Sequence, residues 1–306
     1  MQINSLLDTE FGVTEKGTSF VKIKNLGYFD VGAVFDCGQA FRFLPIENTA
    51  HKCEFGGVAY GKYITVAQDE NDVTIYGSDA EEFRKIWINY LGLDFDIEGA
   101  RSDILSRSDN PALIEAVEYG KGIRILRQEM WETLCSFIIS QNNNIPRIRG
   151  LISTISKNLG EKVECTAELA EKAGEVYAFP TPEAVVNAGV DALREMKFGF
   201  RAPYIYDAAQ KVASGELDLD AVRAAKTTAE AAEMLMKVKG VGPKVAACTL
   251  LFGFDRTDAF PVDVWVKRII EKYFPAPFEA AALGSYAGLA QQYLFYYERY
   301  LGGQKD

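Results

Sequence analysis

At 306 residues with 48% apolar content, the chain is long enough to bury a substantial core and to form two or three compact units. Its formal net charge of −10 excludes a uniformly basic protein that binds nucleic acid without specificity, because phosphate contacts come from Lys and Arg. No apolar run reaches membrane-spanning length, and the first residues lack a basic stretch followed by an apolar one, so a soluble cytoplasmic protein is expected.

Residues 19–76 read as strands. Val21 and Ile23 alternate with Lys22 and Lys24, and the runs 63–67 and 73–76 flank the polar turn 69–72, which predicts a hairpin. Within this region Gly38, in the stretch Phe35 to Phe43, reads as a glycine bend between two strands. Ser78 and Glu81 then have capping-box spacing, and Phe83, Ile86, Trp87, Tyr90 and Leu91 form a helical stripe that stops at Gly92. The first unit, an antiparallel sheet with packed helices, is expected to end near residue 110. From 111 to 306 the pattern is helical, giving an α+β chain overall.

In this second region Trp131, Leu134, Cys135 and Ile138 share a stripe that ends at Gln141 and the asparagines 142–144, residues that suit a helix C-terminus and polar loop. Thr181 and Pro182 open another helix, which ends near Met196. Phe200 and Arg201 follow the bend at Gly199, and on its own Phe200 reads as core. Near the C-terminus Gln291 and Phe295 are four apart on one helical face, which by itself suggests an aromatic-rich packing helix.

The most informative stretch is 237–268. Gly240, Val241 and Gly242 form a tight turn, and Pro243 supplies the fixed φ of a first helical position, so a helix starts at about Lys244. The free N–H groups and the macrodipole there can hold an anion such as a phosphate. The same field disfavours an ammonium, which makes Lys244 a candidate amine nucleophile with a depressed pKa if it is partly desolvated. Cys248 shares its helical face. Asp263 precedes an amphipathic run, and both an N-cap and a carboxylate facing Lys244 are compatible with its position. Residues 61–120 hold 13 acidic against five basic residues, whereas 237–268 hold six basic against three acidic, so a basic face can exist on an acidic protein.

Cys37, Cys53, Cys135, Cys165 and Cys248 are dispersed, with no pair at metal-ligand spacing. Neither a metal nor an iron–sulfur cluster is expected. His51, the single histidine, lies in a polar loop and reads as a surface residue.

The segment 237–265 closely resembles the helix-hairpin-helix, Gly/Pro-rich loop and aspartate signature of the DNA glycosylase superfamily defined by those features. The stretches at 35–43, 140–148 and 291–298 resemble the 8-oxoguanine branch of that superfamily. This resemblance implies an all-α glycosylase core after the sheet domain, with two helical subdomains flanking the cleft. It also implies a cofactor-free, monomeric glycosylase and lyase that acts on damaged double-stranded DNA in base excision repair.

Residue by residue, the resemblance makes Lys244 the nucleophile and Asp263 its carboxylate partner, and it assigns the Gly240, Val241, Gly242 turn to DNA phosphate. The Gly38 carbonyl would accept from the N7–H of 8-oxoguanine, Gln291 would read its Watson–Crick edge, and Phe295 and Cys248 would sandwich it. Asn142 would fill the gap left by the flipped base, Phe200 would wedge the stack, and Arg147 and Arg201 would meet the widowed cytosine. Pro146 stands where a small residue is expected, and Trp265 stands where eukaryotic relatives have a histidine that meets the DNA backbone. Removal of another damaged purine, or a non-catalytic DNA-binding hairpin, are the alternative readings.

Overall fold

The N-terminal region forms a six-stranded antiparallel sheet from β1 (Thr9–Val13), β2 (Ser19–Ile23), β3 (Leu44–Pro45), β4 (Cys53–Ala59), β5 (Lys62–Asp69) and β6 (Asp72–Tyr76), with alternating burial in β2 and β6 and near-continuous burial in β4 and β5. The computed structural model describes residues 7–274 and 277–303. The strand order is β1-β2-β6-β5-β4-β3, and the register aligns Phe55, Val66, Ile75 and Val21 in one cross-strand row of buried side chains. Such a row ties strand pairing to core burial, because a slip of one residue would turn the whole set toward solvent.

Three local expectations need correction. Residues 31–36 are not a strand but the helix α1 (Val31–Asp36), capped by Asp30, whose carboxylate accepts from the Ala33 N–H at 2.7 Å. Gly38 therefore follows a helix, with φ +86, rather than bending between two strands. The cap near 80 is Asp79 rather than Ser78: its Oδ1 accepts from the N–H groups of Glu81 and Glu82. His51 is no free surface residue, since Nδ1 meets Asp69 at 2.6 Å and Nε2 meets the Tyr76 hydroxyl at 3.1 Å.

After the sheet the chain is helical. α2 (Ala80–Glu82) runs through a π-turn at Phe83–Trp87 into α3 (Ile88–Tyr90) and packs Phe83, Trp87 and Tyr90 on the sheet. α4 (Ile97–Arg107) and α5 (Pro111–Tyr119) pack with the last helix, α15 (Ala287–Gly303). Between them lie α6 (Met130–Ile139), α7 (Ile145–Leu159), α8 (Ala167–Ala173), α9 (Pro182–Glu195), α10 (Ala202–Ala213), α11 (Leu219–Ala224), α12 (Thr228–Leu235), α13 (Pro243–Gly253) and α14 (Val264–Tyr273). A second hydrophobic core joins α6, α7, α9, α10, α12 and α13, and a third joins α4, α5 and α15.

The turn between α12 and α13 is held from below by α10. Asp207 accepts the Lys239 N–H at 2.8 Å, and the Tyr204 ring lies flush against Gly240. Gly240 has φ +79, and a Cβ there would stand 2.3 Å from the Tyr204 ring. Both conditions demand glycine. We expect Gly240→Ala to cost about 1–3 kcal/mol, from left-handed strain together with the displaced ring. An unchanged urea midpoint would refute this account of the turn.

On α6, Glu132 is largely buried against Arg42, 3.3 Å away, and Arg42 also donates to the Tyr177 carbonyl. Burial raises the Glu132 pKa from 4.5 to about 7, with Arg42 opposing the rise. The folded state therefore binds the extra proton between those two values, and this group's contribution to stability declines as pH rises across the window. Glu132→Gln should gain relative to the parent protein between about pH 5 and about pH 8 in paired urea titrations. A stability difference that stays constant over that range would show that the carboxyl does not titrate there.

Candidate active site

Two helix starts and one loop converge on a cavity of about 70 Å³. From the start of α13, half-buried Lys244 reaches into it, with Nζ 3.3 Å from Ser140 Oγ and 5.4 Å from the centre of the Phe137 ring. From the start of α14, Asp263 accepts the Val266 N–H at 2.8 Å and also lines the cavity. The N-cap role and the position opposite Lys244 thus coexist. Cys248, one turn along from Lys244, forms part of the wall, and burial pushes its thiol up to about 11 against the pull of Lys244. A thiol held neutral in this way is wall rather than nucleophile.

The other side is made by the Gly38 loop and α15. In this loop the Asp36 carbonyl accepts from Arg299 Nη1 at 2.7 Å, the Cys37 carbonyl from Gln292 Nε2 at 2.6 Å, and the Gln39 carbonyl from Gln128 Nε2 at 2.7 Å. Among the described residues the Gly38 carbonyl alone in this run has no donor. On α15, buried Gln291 also lines the cavity, and its Oε1 has no hydrogen-bond partner. Phe295 lies beside Gly38, its ring 3.5 Å from where a Cβ on that glycine would stand. An acceptor left unpaired away from water costs on the order of 1–3 kcal/mol, so the buried Gln291 Oε1, beside the donor-free carbonyl of half-buried Gly38, marks a place prepared for a ligand that brings donors.

Ser140 leads directly from the cavity into the loop before α7. Asn144 caps α7 by accepting the Arg147 N–H at 3.0 Å, and Pro146 fits the first turn of that helix, where a missing N–H is harmless. Asn142 has φ +47 and an exposed side chain. Arg201, only 3% exposed, donates through Nε and Nη2 to the Gln141 carbonyl and through Nη2 to that of Asn142. Burial, then the neighbouring Arg147, lowers its pKa. Arg201 therefore holds the loop, whereas Arg147 is exposed. Phe200 is 49% exposed, with the Arg201 guanidinium 4.4 Å over its ring, so this aromatic is not core.

Within the hairpin the side chain of Val241 is buried and its N–H is donated to the Val238 carbonyl at 3.0 Å. Its part there is to hold the turn. The first backbone bond of α13 runs from the Ala246 N–H to the Gly242 carbonyl, leaving the N–H groups of Lys244 and Val245 without an intrahelical acceptor. Trp265 is exposed, stacked under Arg268 at 5.4 Å, and flanked by exposed Val262 and Val264.

The sequence-predicted residues thus form three groups: Lys244, Asp263, Cys248, Gly38, Gln291 and Phe295 around the cavity, Asn142, Arg147, Phe200 and Arg201 on the loop side, and Gly240, Val241 and Gly242 in the turn before α13. Ser140, Gln292, Tyr204 and Asp207 were not legible as participants. Larger cavities of about 550 and 570 Å³ lie elsewhere, and neither is lined by any of the predicted site residues. No helix among the described residues is long and apolar enough to cross a membrane, and no three His, Cys, Asp or Glu side chains among them are grouped to hold a metal.

The family described as "8-oxoguanine DNA glycosylase, N-terminal domain" matches residues 22–134, and the "HhH-GPD superfamily base excision DNA repair protein" family matches residues 135–279. An N-glycosylase/DNA lyase of Saccharomyces cerevisiae is 30% identical over 78% of this chain; the chain spans 66% of that relative's length. The crystal structure of Clostridium acetobutylicum 8-oxoguanine glycosylase/lyase, in complex with double-stranded DNA containing cytosine opposite 8-oxoguanine, superimposes with a TM-score of 0.85. It is 37% identical, covering 96% of this chain and 98% of that one. A 3-methyladenine DNA glycosylase from Archaeoglobus fulgidus, with a TM-score of 0.68 at 21% identity, shares the fold alone. With both domains matched in order and a cavity that joins the hairpin lysine and the aspartate to the Gly38 loop, the chain belongs to the 8-oxoguanine DNA glycosylase/lyase family of the helix-hairpin-helix Gly/Pro-Asp superfamily.

Proposed function

We propose that this protein excises 8-oxoguanine from duplex DNA and then nicks the strand, acting as a cytoplasmic monomer without a cofactor. The observation that carries the reading is the shared cavity of Lys244, Asp263, the donor-free Gly38 carbonyl and the unpartnered Gln291 Oε1. 8-Oxoguanine carries a proton on N7 where guanine has a lone pair. A fixed carbonyl attracts the first and repels the second, and a site built around such a bond can discriminate by roughly 10⁴ or more.

The base must first leave the stack, at a cost of a few kcal/mol. The cavity of about 70 Å³ is far smaller than ordinary ligand pockets of roughly 300–1,000 Å³, so the Phe295 side chain must swing away from the fixed Gly38 loop to admit it. Asn142 and Phe200 occupy and wedge the opened stack. Lys244, as free amine, attacks the anomeric carbon while the bond to the base breaks and its electron pair leaves with the base, which is then protonated. Asp263 stabilises the cationic sugar as it develops. The sugar ring opens to a Schiff base on Nζ, and loss of the adjacent C2′ proton drives β-elimination of the 3′ phosphate. The N–H groups at the start of α13 are suited to a flanking phosphate.

Borohydride trapping tests the central step. The parent protein should be captured covalently on 8-oxoguanine DNA, whereas Lys244→Gln should give no trapped complex and no excision while binding lesion DNA within a few-fold of the parent. Continued trapping in that variant would remove Lys244 from the chemistry.

Cytosine offers O2 and N3 acceptors to a guanidinium once its partner has left, whereas adenine presents an amino donor. Because Arg201 is committed to the loop, Arg147 is the free reader. Excision opposite cytosine should exceed that opposite adenine by about tenfold to a hundredfold, the scale of one bidentate contact worth ~1–3 kcal/mol. Arg147→Ala should shrink this ratio more than it slows the cytosine case. Equal single-turnover rates opposite all four bases in the parent protein would refute the assignment.

A further inference from the structure

A pair of glutamines on α15 brackets the cavity wall on the Gly38 side. α15 carries two adjacent glutamines, both buried: Gln291 is 5% exposed with Oε1 unpartnered, and Gln292 is 3% exposed with Nε2 donated at 2.6 Å to the Cys37 carbonyl, 255 positions away in sequence. That carbonyl belongs to the peptide entering Gly38. On the exit side, the side chain of Gln39 donates to the carbonyls of Val34 and Arg124, both at 2.9 Å, and accepts the Leu126 N–H at 2.8 Å.

Gly38 sits between these two anchors. With φ +86 and no side chain, it is the residue whose rotation would change where its carbonyl points, and glycine has the widest choice of backbone angles. Pinning the peptide before it and the residue after it removes that choice.

We infer that Gln292 is a positioning residue for substrate selection, fixing the peptide before Gly38 so that the Gly38 carbonyl is held ready for the N7 proton of the damaged base. The inference rests on the proposed reading of that carbonyl. Gln292 lines the cavity at its Cys37 side, its amide is spent on the Cys37 carbonyl rather than on Lys244, and it acts through the loop. Removing its amide leaves the buried Cys37 carbonyl without a donor and frees the peptide to turn. The strand-nicking step at a pre-formed abasic site uses Lys244 but no base, so it reports on the catalytic centre independently of the loop.

The experiment compares the parent protein with Gln292→Met, which keeps the length and loses the donor, and with Gln292→Glu, which puts an acceptor against the carbonyl. Single-turnover excision is measured on 8-oxoguanine and on 8-methoxyguanine, which has an oxygen at C8 and no N7 proton, together with cleavage of abasic-site DNA. Both variants should lose ~tenfold or more of the 8-oxoguanine to 8-methoxyguanine ratio, with Gln292→Glu the worse, while abasic cleavage falls by less than about twofold.

If both variants keep the parent ratio, or lose excision and abasic cleavage in equal proportion, Gln292 is structural and the inference is overturned. A parent protein that does not distinguish the two bases would instead overturn the Gly38 reading on which it rests.

Discussion

Residues 31–43 are packed into three hydrophobic cores at once, and the site depends on that constraint. Val31, Val34, Phe35 and Phe43 lie in the sheet core, where the Phe35 and Phe43 rings stack at 4.2 Å. Ala33 on α1 and Cys37, its C-cap, face the core of α4, α5 and α15. Phe41 enters the central helical core beside Phe137. A segment anchored in three directions has little freedom to drift, so the short loop at Gly38 is placed by the whole molecule rather than by its own sequence. Close packing makes such placement stiff.

The chemistry-bearing residues on the other side of the cavity use a different device. Lys244 and Asp263 both stand at helix starts, where unsatisfied N–H groups and the macrodipole create a positive field. For Asp263 the field is favourable, and the carboxylate meets it as an N-cap on Val266. For Lys244 the field is unfavourable, and the nearby partner is the neutral Ser140 hydroxyl. One device, a helix start, thus brings both side chains to the same cavity. The two residues need no direct ion pair to be matched.

Much of this was legible because the signals were local. Gly240 and Gly242 with Pro243 announce a turn and a helix start within four residues, and the alternation at Val21 and Ile23 announces a strand. The misses were of two kinds. At 31–36 a short helix in a strand-rich region has too few residues for its period to show, and its cap, Asp30, is the only local clue. Gln292, Ser140, Tyr204 and Asp207 act across separations that no sequence window spans: the contact of Gln292 with Cys37 crosses 255 positions. Arg201 illustrates a subtler case. The sequence sets it next to Phe200, but whether its donors face outward or hold the loop is decided by the carbonyls of Gln141 and Asn142, 60 and 59 positions away.

The acidic charge of the chain is compatible with a DNA partner for a related reason. In the acidic half, much of the charge is met locally: Lys62 pairs with Glu82, Lys85 with Glu81, Arg107 with Asp103 and Arg127 with Asp94. Around the hairpin and the adjoining loop the balance differs. Among the described residues Arg147, Lys237 and Lys239 form no ion pair through their side chains, and Lys267 only a long one to Glu271 at 3.9 Å. Arg268 leans on Trp265 instead of on a carboxylate. Net charge sets the field at long range, but within a Debye length of about 8 Å at physiological salt a phosphate responds to these unpaired cations and to the helix starts beneath them. The acidic remainder repels phosphate elsewhere on the surface, so an anionic partner meets the least opposition around the hairpin and the adjoining loop.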